Sequence, residues 1–449
     1  MPLTRIAARW NTWIARSPLR RMGHSALVAA STSLFARALG FAKEVVVAST
    51  FGLSGSLDVY LVAVVLIGVP VSIVINAAQT ALIAHLSSGR LTPEEEANRF
   101  VTTSLLVLAV LVVLLPLWLW GLPFALPWLA SGFAAEKREA LEMALHWLIP
   151  YYFLNAFNLL GYGVLQAKGR YLANGLLPAA TPVSFMLMLL ARGGTDWKIL
   201  VISLALGSAS ETLLLLGALY WPRLPGRLAM PRRLNIRAIR PLIHASLALL
   251  PGTIMLTVSP VVEQAIAAAL GEGANATLAY GYKLPTALQS ILVTAIGITA
   301  LPYFARQLEN PAYCLHSLNK LMRWLMLGGV LLVLPLGLLS TEIIGLLYQR
   351  GAFDAAATQR VAPVQFAYFV QIPFALLAML GMKAMAALGL NGRASAYTAS
   401  AVLIQVGLGY VLGIQYGPLG IALAATLTSA LLAGSTLLTS RLKLVELSK

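Results

Sequence analysis

The chain has 449 residues, 59% hydrophobic and only 11% charged, with a mean hydropathy of +0.81. Soluble domains carry roughly 25% charged residues, so a water-soluble globular protein is excluded and most of the surface must face lipid. The formal net charge of +16 sits in short loops, which argues for membrane topology and against nucleic-acid binding, and the single cysteine, Cys314, excludes a disulfide framework or a cysteine metal cluster.

Residues 1–24 carry Arg5, Arg9, Arg16, Arg20 and Arg21 with Trp10 and Trp13 and no acid. This composition suits a basic amphipathic cytoplasmic segment lying on an anionic leaflet. A cleaved targeting peptide fits less well, because the first apolar run contains Arg37, Lys43 and Glu44. From 25 to 221, apolar runs at 26–50, 58–87, 100–122, 141–167, 172–191 and 198–220 predict six spans. A basic linker at 222–239 follows, with Arg223, Arg227, Arg232, Arg233 and Arg237. Six further runs, at 240–268, 278–304, 322–348, 361–388, 395–415 and 418–440, predict a second bundle over 240–440, and 441–449 is a basic tail. The expected fold is an all-α polytopic membrane protein of about twelve transmembrane helices in two pseudo-symmetric six-helix bundles.

Loops on one side collect most of the arginines and lysines, including the N-terminal segment, the linker and the tail. The other side receives only Lys137, Arg138, Arg192, Lys198, Arg350 and Arg360. The positive-inside rule then places both termini in the cytoplasm of a bacterial inner-membrane protein. The two halves also share turns at matching offsets. Phe51-Gly52-Leu53-Ser54-Gly55 parallels Leu270-Gly271-Glu272-Gly273-Ala274, Thr80-Ala81 parallels Thr299-Ala300, and Lys168-Gly169-Arg170-Tyr171 parallels Asn391-Gly392-Arg393-Ala394. Six spans per half is an even number, so the repeat is parallel and a pathway is expected between the halves. Prolines in many spans, among them Pro70, Pro116, Pro150, Pro363 and Pro373, suit helices that bend during alternating access.

Ionised residues within apolar spans are the sharpest functional signal, since each costs at least ~2.5 kcal/mol at the bilayer centre and so tends to face a wet pathway. Arg37 lies about a dozen residues into the first span, roughly 18 Å deep at ~1.5 Å per residue. Lys43 and Glu44 follow, with Glu44 on nearly the same face as Arg37, so an Arg37–Glu44 salt bridge that merely pins the helix is the structural alternative. Lys283 either faces the cleft or snorkels to the surface. Asp58, Glu211, Glu263 and Lys383 are further cavity or coupling candidates, with structural ion pairs or solvated helix ends as the plainer reading. A site lined by Arg37, Lys43 and Lys283 would suit phosphate or pyrophosphate. The sequence has no nucleotide-binding or zinc-protease motif, so neither an enzyme nor a cofactor is expected. The interior-negative membrane potential, with or without a coupling cation, would drive an anion outward.

These residues also carry a family resemblance. Ser33-Leu34-Phe35-Ala36-Arg37-Ala38-Leu39-Gly40-Phe41-Ala42-Lys43-Glu44, continuing through Phe51-Gly52 to Asp58, resembles the opening pattern of the MurJ (MviN) lipid II flippases. These belong to the multidrug/oligosaccharidyl-lipid/polysaccharide exporter superfamily. Ala279-Tyr280-Gly281-Tyr282-Lys283-Leu284 with Leu301-Pro302, and Gln349-Arg350-Gly351-Ala352-Phe353-Asp354 with Thr358, resemble two later family stretches in the same order. The resemblance implies alternating-access movement of an undecaprenyl-pyrophosphate-linked saccharide to the outer leaflet, with the cell-envelope glycan synthesis machinery as a possible partner beside the phospholipid bilayer. It implies substrate-binding roles for Arg37, Lys43, Glu44 and Lys283. Lysine stands for two family arginines at Lys43 and Lys283, Tyr282 replaces a family acid, and Val74 and Ile75 replace a family arginine pair. The family's peptidoglycan members also have two more spans than the twelve read here. Alternatives are a flippase for an exopolysaccharide or O-antigen-type repeat unit, and a cation-coupled exporter of small molecules. A membrane glycan polymerase is disfavoured by the short loops.

Overall fold

A computed structural model describes residues 18–86, 92–129, 132–220 and 239–448. The 222–239 linker lies outside them except for its last residue, as does the N-terminal segment up to residue 17. Every described element is a helix. The first half contains α1 (Pro18–Phe51), α2 (Gly55–Leu86), α3 (Pro93–Leu129), α4 (Ala135–Trp147), α5 (Ile149–Ala167), α6 (Tyr171–Leu176), α7 (Ala180–Arg192) and α8 (Trp197–Tyr220). A 3-10 turn, Leu177–Ala179, joins α6 to α7. The second half contains α9 (Arg240–Ala269), α10 (Ala274–Gln307), α11 (Pro311–Leu338), α12 (Ser340–Tyr348), α13 (Ala355–Ala387), α14 (Asn391–Tyr416) and α15 (Pro418–Leu447).

Each expected span coincides with one helix or one interrupted pair. Among the described residues, eight helices are long and apolar enough to cross a membrane, or nine if α4 and α5 form one bent span. Among the described residues, length and apolarity alone thus account for eight or nine of the twelve expected spans. The interruption between α4 and α5 is a 48° bend, and Pro150 at the start of α5 gives its cause, because it cannot donate to the preceding turn. Pro178 falls in the 3-10 turn of the next expected span in the same way.

Contacts divide the chain into two compact units that do not follow the linker. One comprises residues 1–47, 66–123 and 142–257; the other comprises 48–65, 124–141 and 258–449. In the first unit, α5, α7 and α8 pack through small residues. Gly161 sits against Leu215, and Gly207 brings α8 onto the backbone of Thr181. Tyr152 donates to the Leu111 carbonyl at 3.1 Å, and Gln79 donates to the Leu159 carbonyl at 2.5 Å. In the second unit, α13 is the hub. Val364, Tyr368, Phe369, Ile372 and Leu380 are all buried, against Leu278 of α10, Val333 of α11, and Ile421 and Leu437 of α15. Gly329 against Pro373 and Gly381 against Thr436 bring the helices into close contact there. By contrast α11 and α14 leave most of their apolar side chains exposed, as do Leu117, Trp120 and Phe124 of α3. Such apolar exposure is stable only against lipid.

Candidate functional site

In the first unit, α1 carries three of the expected site residues. Arg37 is exposed, whereas Lys43 and Glu44 are largely covered. The Lys43 ammonium pairs with the Glu44 carboxylate at 2.8 Å and lies 4.9 Å from the centre of the Phe185 ring of α7. Glu44 thus neutralises its immediate neighbour, and Phe185 supplies a cation–π face that fixes the ammonium from a second helix. Farther along, Lys168 pairs with Glu96 at 2.7 Å. The position of the family's arginine pair is apolar here in structure as well as in sequence. Ile75 is fully buried, and Val74 lines an apolar cavity of about 160 Å³ with residues of α3 and α9 such as Val107 and Leu242.

Glu211, in the middle of α8, is buried. It accepts a hydrogen bond from the Tyr162 hydroxyl of α5 at 2.5 Å and a second from the Thr181 hydroxyl of α7. Its expected ion-pair partner is absent among the described residues. Beside it, Ser184 and Ser210 hydroxyls meet at 2.8 Å, and Thr212 donates to Asn158 at 2.8 Å.

In the second unit the structure assembles a site around Asp58, which is fully buried in the first turn of α2. One carboxylate oxygen accepts from the Lys137 ammonium at 3.0 Å and from the Gly273 amide at 2.7 Å; the other accepts from the Ala276 amide at 3.0 Å. The first amides of any helix lack internal partners and carry partial positive charge, so Asp58 caps α10 from outside. Glu272 returns the arrangement by accepting from the Gly55 amide at the start of α2, at 2.8 Å. The matched turn 270–274 and the first turn of α2 therefore cap each other's helices. Gly273 has φ +78°, and a Cβ there would meet the Leu53 carbonyl at 2.8 Å; only glycine fits this contact. Arg360 donates to the Glu272 carbonyl at 3.3 Å.

The 349–358 stretch is built around the same end of α1. The Ala352 amide donates to the Ser49 carbonyl at 2.8 Å, and Gly351, at φ +59°, has no room for a side chain beside that carbonyl. Asp354 caps α13 by accepting from Ala357 at 2.7 Å, and Thr358 donates to Gln349 at 3.3 Å. Lys283 is half-buried, with its ammonium 4.8 Å from the centre of the Tyr280 ring. Tyr280 belongs to an aromatic cluster with Tyr348 and Phe353, at 5.0 and 5.5 Å. Glu263 accepts from Gln405 of α14. Lys383 is half-buried near the end of α13 and joins no ion pair among the described residues.

The structure thus brings Lys43 to Glu44, Asp58 to Lys137, Glu211 to two hydroxyls and Glu263 to an amide. Sequence reasoning missed Lys137, Glu272, Tyr162 and Thr181. The matched turns were the one available signal for Glu272.

Comparison with known proteins adds the family. A curated relative from Synechocystis sp., named a probable lipid II flippase MurJ, is 25% identical over 428 residues, covering 90% of this chain and 79% of the relative. A solved lipid II flippase MurJ, in an inward closed conformation, superposes with a TM-score of 0.75 at 17% identity, covering 94% of this chain and 90% of that one. An inward-facing multidrug resistance MATE family transporter of the MOP superfamily gives 0.72 at 13% identity, covering 94% and 98%. At these identities the two structures establish the shared fold. The family model described as lipid II flippase MurJ matches residues 47–446, beginning just after Glu44. The chain belongs to the MurJ lipid II flippase family.

Proposed function

We propose that this protein moves a lipid II-like, undecaprenyl-pyrophosphate-linked peptidoglycan precursor from the cytoplasmic to the outer leaflet by alternating access. The observation that carries this reading is the family match along residues 47–446. It favours neither the exopolysaccharide alternative nor the small-molecule exporter. The protein is a multi-pass inner-membrane protein, and the distribution of its basic loops supports cytoplasmic termini.

In this reading Arg37, Lys43 and Lys283 are substrate-binding residues, as the resemblance implies. Arg37 is exposed from α1, and its planar fork suits bidentate phosphate contact. Lys43 and Lys283 each sit over an aromatic ring, which holds the ammonium by a cation–π contact. Glu44 holds Lys43 until the diphosphate competes for it. No bond is made or broken in the substrate, and the interior-negative membrane potential, with or without a coupling cation, drives net anion export in this reading.

The test is genetic. Expression of this chain in a bacterium depleted of its own lipid II flippase is expected to restore growth, and Arg37→Ala to abolish the rescue. A well-expressed, membrane-inserted chain that never rescues growth would remove the lipid II reading.

A further inference from the structure

We propose that Glu211, with Tyr162 and Thr181, forms a proton-binding site that couples the transport cycle to a proton gradient; this rests on the transport reading above. Glu211 is the fifteenth residue of the 24-residue α8, roughly 20 Å from one end at ~1.5 Å per residue. It therefore lies near the middle of an apolar span, where an ionised carboxylate without a cation is costly. Among the described residues no lysine or arginine reaches it. On α5 the titratable groups are Tyr151, Tyr152 and Tyr162; on α7 the only charge is Arg192, eleven residues beyond Thr181. The 3-10 turn has none, and on α8 itself Lys198 stands thirteen residues away.

The donor set selects a proton over a metal ion. Sodium or calcium takes about six oxygens at distances above ~2.3 Å, whereas here two hydroxyls already sit at hydrogen-bond distance from the carboxylate oxygens. Hydroxyls also serve both protonation states. Against the carboxylate each donates; against the carboxylic acid one of them turns and accepts the new proton. An arginine or lysine partner would instead hold the group ionised throughout. The balance is simple, since the acid loses its proton to water and regains it from water, with no other bond changed.

The same helix links this site to the cationic residues of α1. Thr181, which contacts Glu211, stands one turn before Phe185, which carries the Lys43 ammonium. Gly207, one turn before Glu211, holds α8 against the Thr181 backbone. Turning the Thr181 hydroxyl when Glu211 gains its proton therefore acts on the segment of α7 that positions Lys43.

Two measurements on the full-length protein test this. Difference infrared spectroscopy in lipid nanodiscs, on alkalinisation from neutral pH, is expected to show a protonated carboxyl band that disappears. Glu211→Gln should lack that component, and Tyr162→Phe, which removes one donor to the carboxylate, should move its loss about tenfold lower in proton concentration. In proteoliposomes loaded with lipid II, an acid-outside gradient of about one pH unit biases a one-proton cycle about tenfold. In Glu211→Gln the ratio of rates with and without the gradient should fall to about one. A carboxyl band unchanged in Glu211→Gln, or an undiminished gradient response in that variant, would overturn the proposal. If Glu211→Gln fails to fold, an unshifted band in Tyr162→Phe does the same. Native protein that moves no lipid II at all refutes the transport reading and leaves the infrared result to decide the proton site.

Discussion

Arg37 and Lys43 are both cations on α1, yet their surroundings give them different roles. Arg37 is exposed, while Lys43 is held between Glu44 and Phe185. Lys43→Arg is expected to keep flipping at or above the native rate, because the guanidinium keeps both contacts and adds a fork. Lys43→Ala should lower it about tenfold, the worth of one charge-assisted hydrogen bond; initial rates of lipid II translocation decide. Asp58 makes a stability prediction. Asp58→Ala strips Lys137 and the α10 amides of their buried partner and should cost about 3 kcal/mol, read as a lower melting temperature in detergent. Lys137→Met should cost less in the Asp58→Ala background than alone, because the two residues share one interaction. The presence of Arg37 within the span was legible from the sequence, since an ionised residue in an apolar run stands out. The partners of Asp58 and Glu211 were not legible. They lie 79 and 215 residues from Asp58, and 49 and 30 from Glu211, and no local pattern encodes such pairings.

At the scale of elements, the spans were readable because apolar length alone defines them, and the breaks were readable where proline falls. What the pattern could not give is how the matched turns 51–55 and 270–274 are used. Their similarity marks a repeat, but only the structure shows Glu272 on the Gly55 amide and Asp58 on the Gly273 amide. Gly273→Ala forces a left-handed conformation on a residue with a Cβ, at about 1–2 kcal/mol, before the clash with the Leu53 carbonyl is counted. Thermal unfolding should show a loss greater than that of Gly271→Ala, whose site has open space. Equal losses would mean that the close approach to Leu53 contributes nothing.

For the whole molecule, the sequence divides at the basic linker, whereas contacts place the ends of α1–α4 around residues 48–65 and 124–141 with the second half. Hydropathy cannot show such an exchange, because it records what lies along the chain and not what meets across it. Orientation remains open to direct measurement. Cys314 is buried, so a cysteine introduced at Arg227 should dominate maleimide labelling, and it is expected to react in inverted vesicles and not in intact cells. Labelling in intact cells would reverse the topology. The central claim is that a cationic α1 carries a lipid-linked diphosphate across the bilayer, and a proteoliposome flipping assay with defined lipid II tests it most directly. Native protein should translocate lipid II, and Arg37→Ala, equally folded and incorporated, should lose at least about tenfold of the rate. Undiminished translocation by Arg37→Ala would contradict the account.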